Sequence, residues 1–305
     1  MEFIFKTQFN YRMKLNFNKS GFDLLQGKIS QKLNPNLKNY AINILEKGTK
    51  DGLAFIRLEN NLVFFDTDMK SLLTSLVFRY HQSHYEINKN FKKHGIHLSH
   101  VDNLLNLPAD SESKDYLLKN MPVKKGDTVV ELGAFRGFGT IKLSQLVGKE
   151  GKVIAVEASE HNYDILKKNI EENNISNVSI INRGIWSTKG QLTFYKEKNQ
   201  RNSLVKGLLH KSQNENEIEV DTVDNILAEQ KIEKPDFITM EINAAEVEAL
   251  RGMKNTLSKK GIRLISAGWY DYNGKPAWTI MKKLLEEYGF SVYVGKQNRV
   301  YGIKE

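Results

Sequence analysis

The sequence predicts an α/β fold, a mostly parallel sheet completed by an antiparallel strand near the C-terminus, behind an N-terminal α+β extension. Three observations predict it. From residue 127 onward, short β-branched runs alternate with helical periodicity, the pattern that builds a parallel sheet with helices on both faces. The run 128–132 enters a turn carrying Gly133, Gly137 and Gly139 and leaves it as a helix. Near the end, Phe290–Val294 and Arg299–Ile303 read as an antiparallel pair added to that sheet.

The elements follow in order. Leu53–Leu58 and Leu62–Phe65 flank Asn60-Asn61 and read as a β-hairpin with a tight turn. Residues 69–93 carry Leu72, Leu73, Leu76, Val77 and Tyr80 at helical spacing. The polar stretch Asp110–Ser113 marks a boundary, and a short helix bearing Tyr116, Leu117, Leu118 and Met121 follows it. We therefore divide the chain into an extension over 1–120 and a ligand-binding domain over 121–305. In that domain strands are expected at 128–132, 153–157, 178–182, 236–241 and 261–266, with a peripheral strand at 191–195. Helices are expected at 138–147, 160–173, 245–257 and 275–288. No internal repeat or low-complexity linker interrupts the pattern.

Composition narrows the function. The chain is 40% hydrophobic and 27% charged, ordinary for a soluble globular protein. Cysteine is absent, which excludes disulfides, thiolate metal sites and a cysteine nucleophile. The first residues lack the apolar core of a signal peptide, and no apolar run is long enough to cross a bilayer, so a soluble cytoplasmic protein is expected. The net charge of +9 is uneven. Lys and Arg outnumber Asp and Glu by seven in residues 1–126 but by only two in 127–305. A basic front half suits an anionic partner such as RNA, but its charges are scattered with no dense cluster, and a lysine-rich solvated surface explains them better. His81 and His84, and His94, His97 and His100, recur at three-residue spacing, but Gly95 and the lack of a placed carboxylate argue against a metal site.

The chemistry concentrates at the ends of the strands, where ligands of such sheets bind. Glu131 precedes the first glycine and would face the crevice, where it suits a cationic amino group better than a pyrophosphate. Glu157 closes the next strand, where an acid accepts both hydroxyls of a ribose. Singly, Glu131 is also a helix-capping acid and Glu157 a strand-end surface acid. Jointly, on adjacent strands beside a glycine turn, they point to S-adenosylmethionine (SAM). The glycine spacing does not fit the dinucleotide pattern G-x-G-x-x-G, and no phosphate loop of the G-x-x-x-x-G-K-[ST] kind is present.

Several ordered motifs resemble the FkbM-type SAM-dependent methyltransferases over roughly residues 125 to 295. Glu131-Leu132-Gly133-Ala134, with Gly137 and Thr140, is similar to the family's Asp-x-Gly-Ala-x-x-Gly-x-x-Thr turn. Glu157-Ala158 matches its Glu-Pro pair, and Asn169 and Asn174 match asparagines of the next helix. Gly184–Ser187 and Val220–Asp224 resemble two later segments. Glu241-Ile242-Asn243-Ala244-Ala245-Glu246, with Leu250 and Gly252, is similar to the Asp-x-Glu-Gly-x-Glu block and its downstream Leu-x-Gly.

The resemblance implies a Rossmann-like class I methyltransferase sheet with SAM as cofactor. It implies a cofactor site of Glu131, Gly133, Ala134, Gly137, Thr140, Glu157, Ala158 and Gly184. It also implies O-methylation of a hydroxyl on a sugar or other small acceptor, with Glu241 and Asn243 as the catalytic positions. Where the family has a second acid and a glycine, this chain has Asn243 and Ala244. An amide cannot be a general base. Alternation along the strand predicts that Glu241 and Asn243 share a face. Asp221 and Asp224 read as structural acids and Glu246 as a helix-start acid. Trp269-Tyr270-Asp271-Tyr272 either packs the acceptor or covers the sheet edge. The competing functions are an RNA methyltransferase, suggested by the basic front half, and a SAM-binding protein without catalysis, suggested by Asn243 and Ala244.

Overall fold

The computed structural model describes residues 2–6, 12–16, 44–58, 60–75, 121–196, 202–206, 214–295 and 298–305. The chain divides into two compact units, Met1–Val101 and Asp102–Glu305. The histidines at 81, 84, 94, 97 and 100, the boundary at 110–113 and most of the short helix after it lie outside the described residues.

In the first unit, β1 (Glu2–Lys6) and β2 (Arg12–Asn16) pair antiparallel. β3 (Ile44–Lys50), β4 (Leu53–Leu58) and β5 (Val63–Asp66) form a three-stranded antiparallel sheet. The expected hairpin is β4–β5, and Asn61 takes the left-handed conformation in its turn (φ 66°). Alternation along β4 buries Ala54, Ile56 and Leu58. β3 was not anticipated because its face is mostly exposed and carries little apolar signal; Leu45 is 59% exposed. Helix α1 (Met69–Ser75) begins where the sequence places one and packs on β4 and β5.

The second unit is built on a seven-stranded sheet. Its strands are β6 (Thr128–Leu132), β7 (Lys152–Glu157), β8 (Val178–Asn182), β13 (Phe237–Met240), β14 (Ile262–Ser266), β17 (Ser291–Val294) and β18 (Val300–Lys304). Their spatial order is β17-β18-β14-β13-β6-β7-β8. β8, β7, β6, β13 and β14 are parallel, while β18 runs antiparallel to both β14 and β17. The expected sheet is therefore present, including its antiparallel closure. The chain steps outward from β6 to β7 and β8, then returns to the other side of β6 with β13. That reversal opens a crevice at the carboxyl ends of β6 and β13.

The central strands read as unbroken apolar runs because both faces are covered. Val130, Leu132, Ile154, Val156, Ile238 and Met240 pack with helices α4 (Val223–Glu229), α5 (Glu246–Arg251), α6 (Lys254–Ser258) and α7 (Ala277–Glu287). Their neighbours Val129, Val153 and Phe237 pack on the opposite face against Leu143 and Val147 of α2 (Phe138–Val147). Helix α3 (Glu160–Glu172) lies against β8 and α2.

Between β8 and β13 stands a second sheet, β11-β10-β12-β9. It comprises β9 (Gly184–Ile185), β10 (Gly190–Lys196), β11 (Asn202–Ser203) and β12 (Asn214–Asp221). A short hairpin of β15 (Asp271–Tyr272) and β16 (Lys275–Pro276) precedes α7.

Two expected helices are corrected. The helix expected over 245–257 is two, α5 and α6, broken at Gly252-Met253. A Cβ on Gly252 would lie 2.5 Å from the carbonyl oxygen of Trp186. Beyond it, the Asp224 carboxylate takes the N–H groups of Asn255 (2.7 Å) and Thr256 (2.9 Å), so a new helix starts there. The helix expected from 275 starts at Ala277, because Lys275-Pro276 is spent in the β15–β16 hairpin. Among the described residues, no helix is long and apolar enough to cross a membrane.

The entry to the sheet is fixed by a buried ion pair. Arg263 on β14 meets Asp127 at 2.7 Å and donates to the carbonyl of Pro122. Asp127 also accepts from the N–H of Lys124 (2.6 Å). Removing one partner strands the other charge away from water. Arg263→Ala should therefore lose about 3–5 kcal/mol in denaturant unfolding. Lys167→Ala, which breaks an exposed pair with Glu171, should change stability by about 0.5 kcal/mol or less.

Candidate functional site at the carboxyl ends of the central strands

The turn after β6 sits against β7 and β13. The N–H groups of Gly133 and Ala134 both donate to the carbonyl of Val156, at 2.9 and 3.0 Å. Gly133 and Gly137 adopt φ of 88° and 83°, and Phe135 between them adopts 55°. Gly133 is required twice. Its φ is left-handed, and a Cβ there would overlap the carbonyl oxygen of Glu241. A Cβ on Gly137 would lie 2.5 Å from Cδ1 of Leu166, so this glycine lets α2 and α3 close on each other.

Glu131 is buried and accepts a hydrogen bond from the Thr140 hydroxyl (2.6 Å). Its Oε1 would lie 2.7 Å from a Cβ on Gly139, so that glycine admits the carboxylate beside the first turn of α2. Glu157, also buried, spans the turn. Its Oε2 accepts from the N–H of Phe135 (2.8 Å), and its Oε1 accepts from the N–H of Ser159 (3.0 Å) and the amide of Asn162 (3.4 Å). Ala158, half-buried, is the link between Glu157 and Ser159.

Arg136, behind the turn, is a site residue that sequence reasoning missed. Arg136 is fully buried, with its guanidinium 4.7 Å from the Phe135 ring centroid. Its Nε donates to Asn162 (3.2 Å), and its carbonyl accepts from the Asn169 amide (2.8 Å). A charge inside a glycine turn was the available signal. Gly184 lies in the second sheet, where a Cβ would meet Val220, Ile218 and Leu204, so packing there accounts for the glycine.

β13 ends at Met240, so the alternation argument for the next residues fails. Asn243 and Ala244 are both left-handed, with φ of 53° and 80°, and the chain turns back toward α5. Glu241 stays at the strand end, half-buried, and its carboxylate has no hydrogen bond or ion pair among the described residues. Asn243 is tied on both sides. Its Nδ2 donates to the carbonyl of Asn202 (2.7 Å), and its Oδ1 accepts from the Tyr270 hydroxyl (2.7 Å). Its own carbonyl accepts from the Ser203 hydroxyl (2.7 Å). Asn202 and Ser203 were missed because a short polar strand carries no periodic signal.

The aromatic segment after β14 is divided. Tyr270 reaches Asn243, while Trp269 packs on Tyr270 with ring centroids 5.7 Å apart and planes inclined at 45°, and lies under Arg299 at 5.3 Å. Tyr272 donates to Glu248, which also pairs with Arg251 (2.5 Å). Burial works to raise the Glu248 carboxyl, but hydrogen bonds from Ser187 and Tyr272 and the charge of Arg251 hold it below its ordinary range. Asp221 and Asp224 are structural acids. Burial likewise opposes ionisation of Asp221, yet bonds from Asn225 and Thr222 and the nearby Lys189 lower its pKa. Among the described residues, no group of three or more His, Asp or Glu is placed to hold a metal.

Glu246 departs from its expected role. It is fully buried and its Oε1 accepts from the N–H of Ile242 (2.9 Å), closing the turn from within. Burial above all, aided by the charge of Glu241, pushes its pKa up to about 8 against the bonds from backbone N–H groups. At neutral pH it is therefore mostly protonated and offers little charge to the helix dipole.

Residues 131–292, more than half of the chain, match the model of the methyltransferase FkbM domain. The chain belongs to the FkbM methyltransferase family. The FkbM methyltransferase of Methylobacillus flagellatus is 15% identical with a TM-score of 0.42, over 58% of this chain and 43% of that one. Aeropyrum pernix fibrillarin, solved with natively bound SAM, is 14% identical with a TM-score of 0.40, over 86% of this chain and all of that one. A probable cobalt-precorrin-6B C(15)-methyltransferase of Saccharolobus solfataricus is 29% identical over 73 residues, 24% of this chain. The chain spans 37% of the length of that curated relative.

This FkbM chain departs from the family pattern where its backbone is most demanding. Ala244 holds φ 80° where the family places glycine. A left-handed conformation costs a side-chain-bearing residue roughly 1–2 kcal/mol, partly offset by the greater freedom of an unfolded glycine. Ala244→Gly should therefore stabilise the protein by about 0.5–1 kcal/mol in denaturant melts.

Glu246 makes a second prediction, about pH. Below its ordinary pKa of 4.5 the group is protonated in both folded and unfolded states, and its contribution is at its most favourable. Between 4.5 and about 8 only the folded state keeps the proton, so rising pH favours unfolding. The slope should approach ~1.4 kcal/mol per pH unit. Glu246→Gln should flatten that part of the stability–pH curve, as followed by thermal or denaturant melts.

Proposed function

We propose that the unit Asp102–Glu305 transfers a methyl group from SAM to a hydroxyl of a sugar or another small acceptor. The observation that carries this reading is the juxtaposition at the reversal of strand order. A glycine-bounded turn and two buried acids stand at the ends of β6 and β7, and a carboxylate without a hydrogen-bond or ion-pair partner among the described residues stands at the end of β13. Gly133 fits the role because only a residue without a side chain lets the turn close against the backbone of Glu241.

In this reading Gly133, Ala134 and Gly137 carry the backbone that lines the methionine part. Glu131, held by Thr140, supplies negative charge for its amino group. Glu157, with Ala158 beside it, meets the ribose through the lone pairs left after its bonds to Phe135 and Ser159. Gly184 acts at a distance, by seating the second sheet. When bound, SAM supplies a methyl group on a sulfonium, ready for in-line displacement by an acceptor oxygen. The protein then has to align that oxygen and remove its proton. Glu241 takes the proton, as the strand-end carboxylate with no hydrogen-bond or ion-pair partner among the described residues. Asn243 cannot, because its amide has no basic lone pair to protonate.

The excess of positive charge in residues 1–126 supports a second reading, methylation of RNA. Binding to RNA would weaken steeply with salt. A SAM-binding protein without catalysis is the third outcome.

Calorimetry and a labelled-SAM transfer assay over hydroxyl acceptors and RNA distinguish them. SAM and its demethylated product should bind and NAD should not. Glu157→Ala should weaken that binding at least about tenfold, through the loss of charge-assisted hydrogen bonds. Glu241→Gln should keep the binding but slow transfer by ~10²–10⁴. NAD binding without SAM binding would overturn the assignment. SAM binding with no transfer to any acceptor would leave a binding protein.

A further inference from the structure

This inference rests on the reading above. With the methyl donor at the ends of β6 and β7, the acceptor side of the crevice belongs to the ends of β13 and β14. There the chain places Asn243, where its family carries an acid. Three contacts converge on this residue. Asn202 of β11 receives its Nδ2–H, Tyr270 after β14 donates to its Oδ1, and Ser203 of β11 donates to its carbonyl, each at 2.7 Å. Ser203 Oγ in turn accepts from the N–H of Val205 (2.9 Å). One residue therefore joins the inserted sheet to the loops of the parallel sheet.

The orientation of the amide is dictated by its partners. A backbone carbonyl only accepts, so the nitrogen of Asn243 has to face Asn202. A carboxylate in the same place has no hydrogen to give and would set oxygen against oxygen. Asparagine is also among the few side-chain-bearing residues that enter the left-handed region readily. The same position thus favours asparagine for its backbone and an amide for its contacts.

We infer that Asn243 is a positioning residue for the acceptor, present as an amide because the contact with both β11 and Tyr270 requires a donor and an acceptor in one side chain. Its part is to hold β11 and Tyr270 as the acceptor-side wall, while proton removal belongs elsewhere.

The test compares the full chain with Asn243→Asp and Tyr270→Phe. Hydrogen exchange of the 202–206 segment reads the wall directly. Exchange should rise by about tenfold in Asn243→Asp, the effect expected for a lost hydrogen bond, and by less in Tyr270→Phe. Affinity for S-adenosylhomocysteine, measured by calorimetry, should be unchanged in both. Methyl transfer to the acceptor panel should fall in Asn243→Asp through a raised acceptor KM. Unchanged exchange in both variants overturns the inference, as does transfer that is equal or faster in Asn243→Asp. Should Asn243→Asp fail to fold, Tyr270→Phe decides, since it removes one hydroxyl and keeps the bond to Asn202. Failure of the wild type to bind S-adenosylhomocysteine would sink the SAM reading, while the exchange comparison would still judge the wall.

Discussion

Gly133 lies so close to the backbone of Glu241 that a single methyl group would separate β6 from β13. These two strands flank the reversal of strand order, and much of the site depends on their contact. With Gly133 left-handed, the chain folds back so that two successive N–H groups reach Val156 on β7. Phe135 is then within reach of the Glu157 carboxylate, and Gly137 sits at the start of α2. On the β13 side the same contact holds Glu241 at the crevice while the chain turns away through Asn243 and Ala244. An acid one methylene longer than the family's aspartate occupies the strand end, followed by Asn243 and Ala244 where the family's motif has an acid and a glycine.

The acids show why sequence position alone does not assign a role. Glu131, Glu157, Glu241, Glu246 and Glu248 all fall in or near recognisable motifs, but their surroundings treat them differently. Glu157 is spent largely on backbone N–H groups, and Glu248 is held ionised by Ser187, Tyr272 and Arg251. Glu246 is kept mostly protonated by burial. Glu241 alone among the five has a carboxylate with no partner among the described residues. Desolvation and hydrogen bonding, which decide between these states, come from elements far apart in the chain.

What the sequence made legible follows the same division. Strands covered on both faces, such as Thr128–Leu132 and Phe237–Met240, announce themselves as apolar runs. The glycines of the turn announce a conformation that other residues avoid. β3 and β11 stayed hidden because exposed or two-residue strands need little apolar surface. β12 does carry alternation, with Ile218 and Val220 inward and Glu217 and Glu219 exposed, but its acids mask it. The break between α5 and α6 was unreadable locally, since it depends on Trp186 and Asp224, which reach Gly252 and Asn255 only in the folded chain. Asn243 was legible as a departure from the family. Its partners were not.

The inserted sheet begins and ends in neighbouring strands, with Ile185 beside Asp221 and Trp186 bonded to the same residue. Its two stems are already together, so lengthening or trimming what lies between them changes closure entropy only slowly, by about 0.6 kcal/mol for each doubling of length. Segments of that kind diverge quickly over evolutionary time and tolerate grafting. Here the segment carries Asn202 and Ser203 to one side of the crevice, whereas the glycine turn and its acids are anchored in the seven-stranded sheet. Such a chain can exchange one half of its site while inheriting the other intact, and paralogues would be expected to differ first between residues 186 and 219.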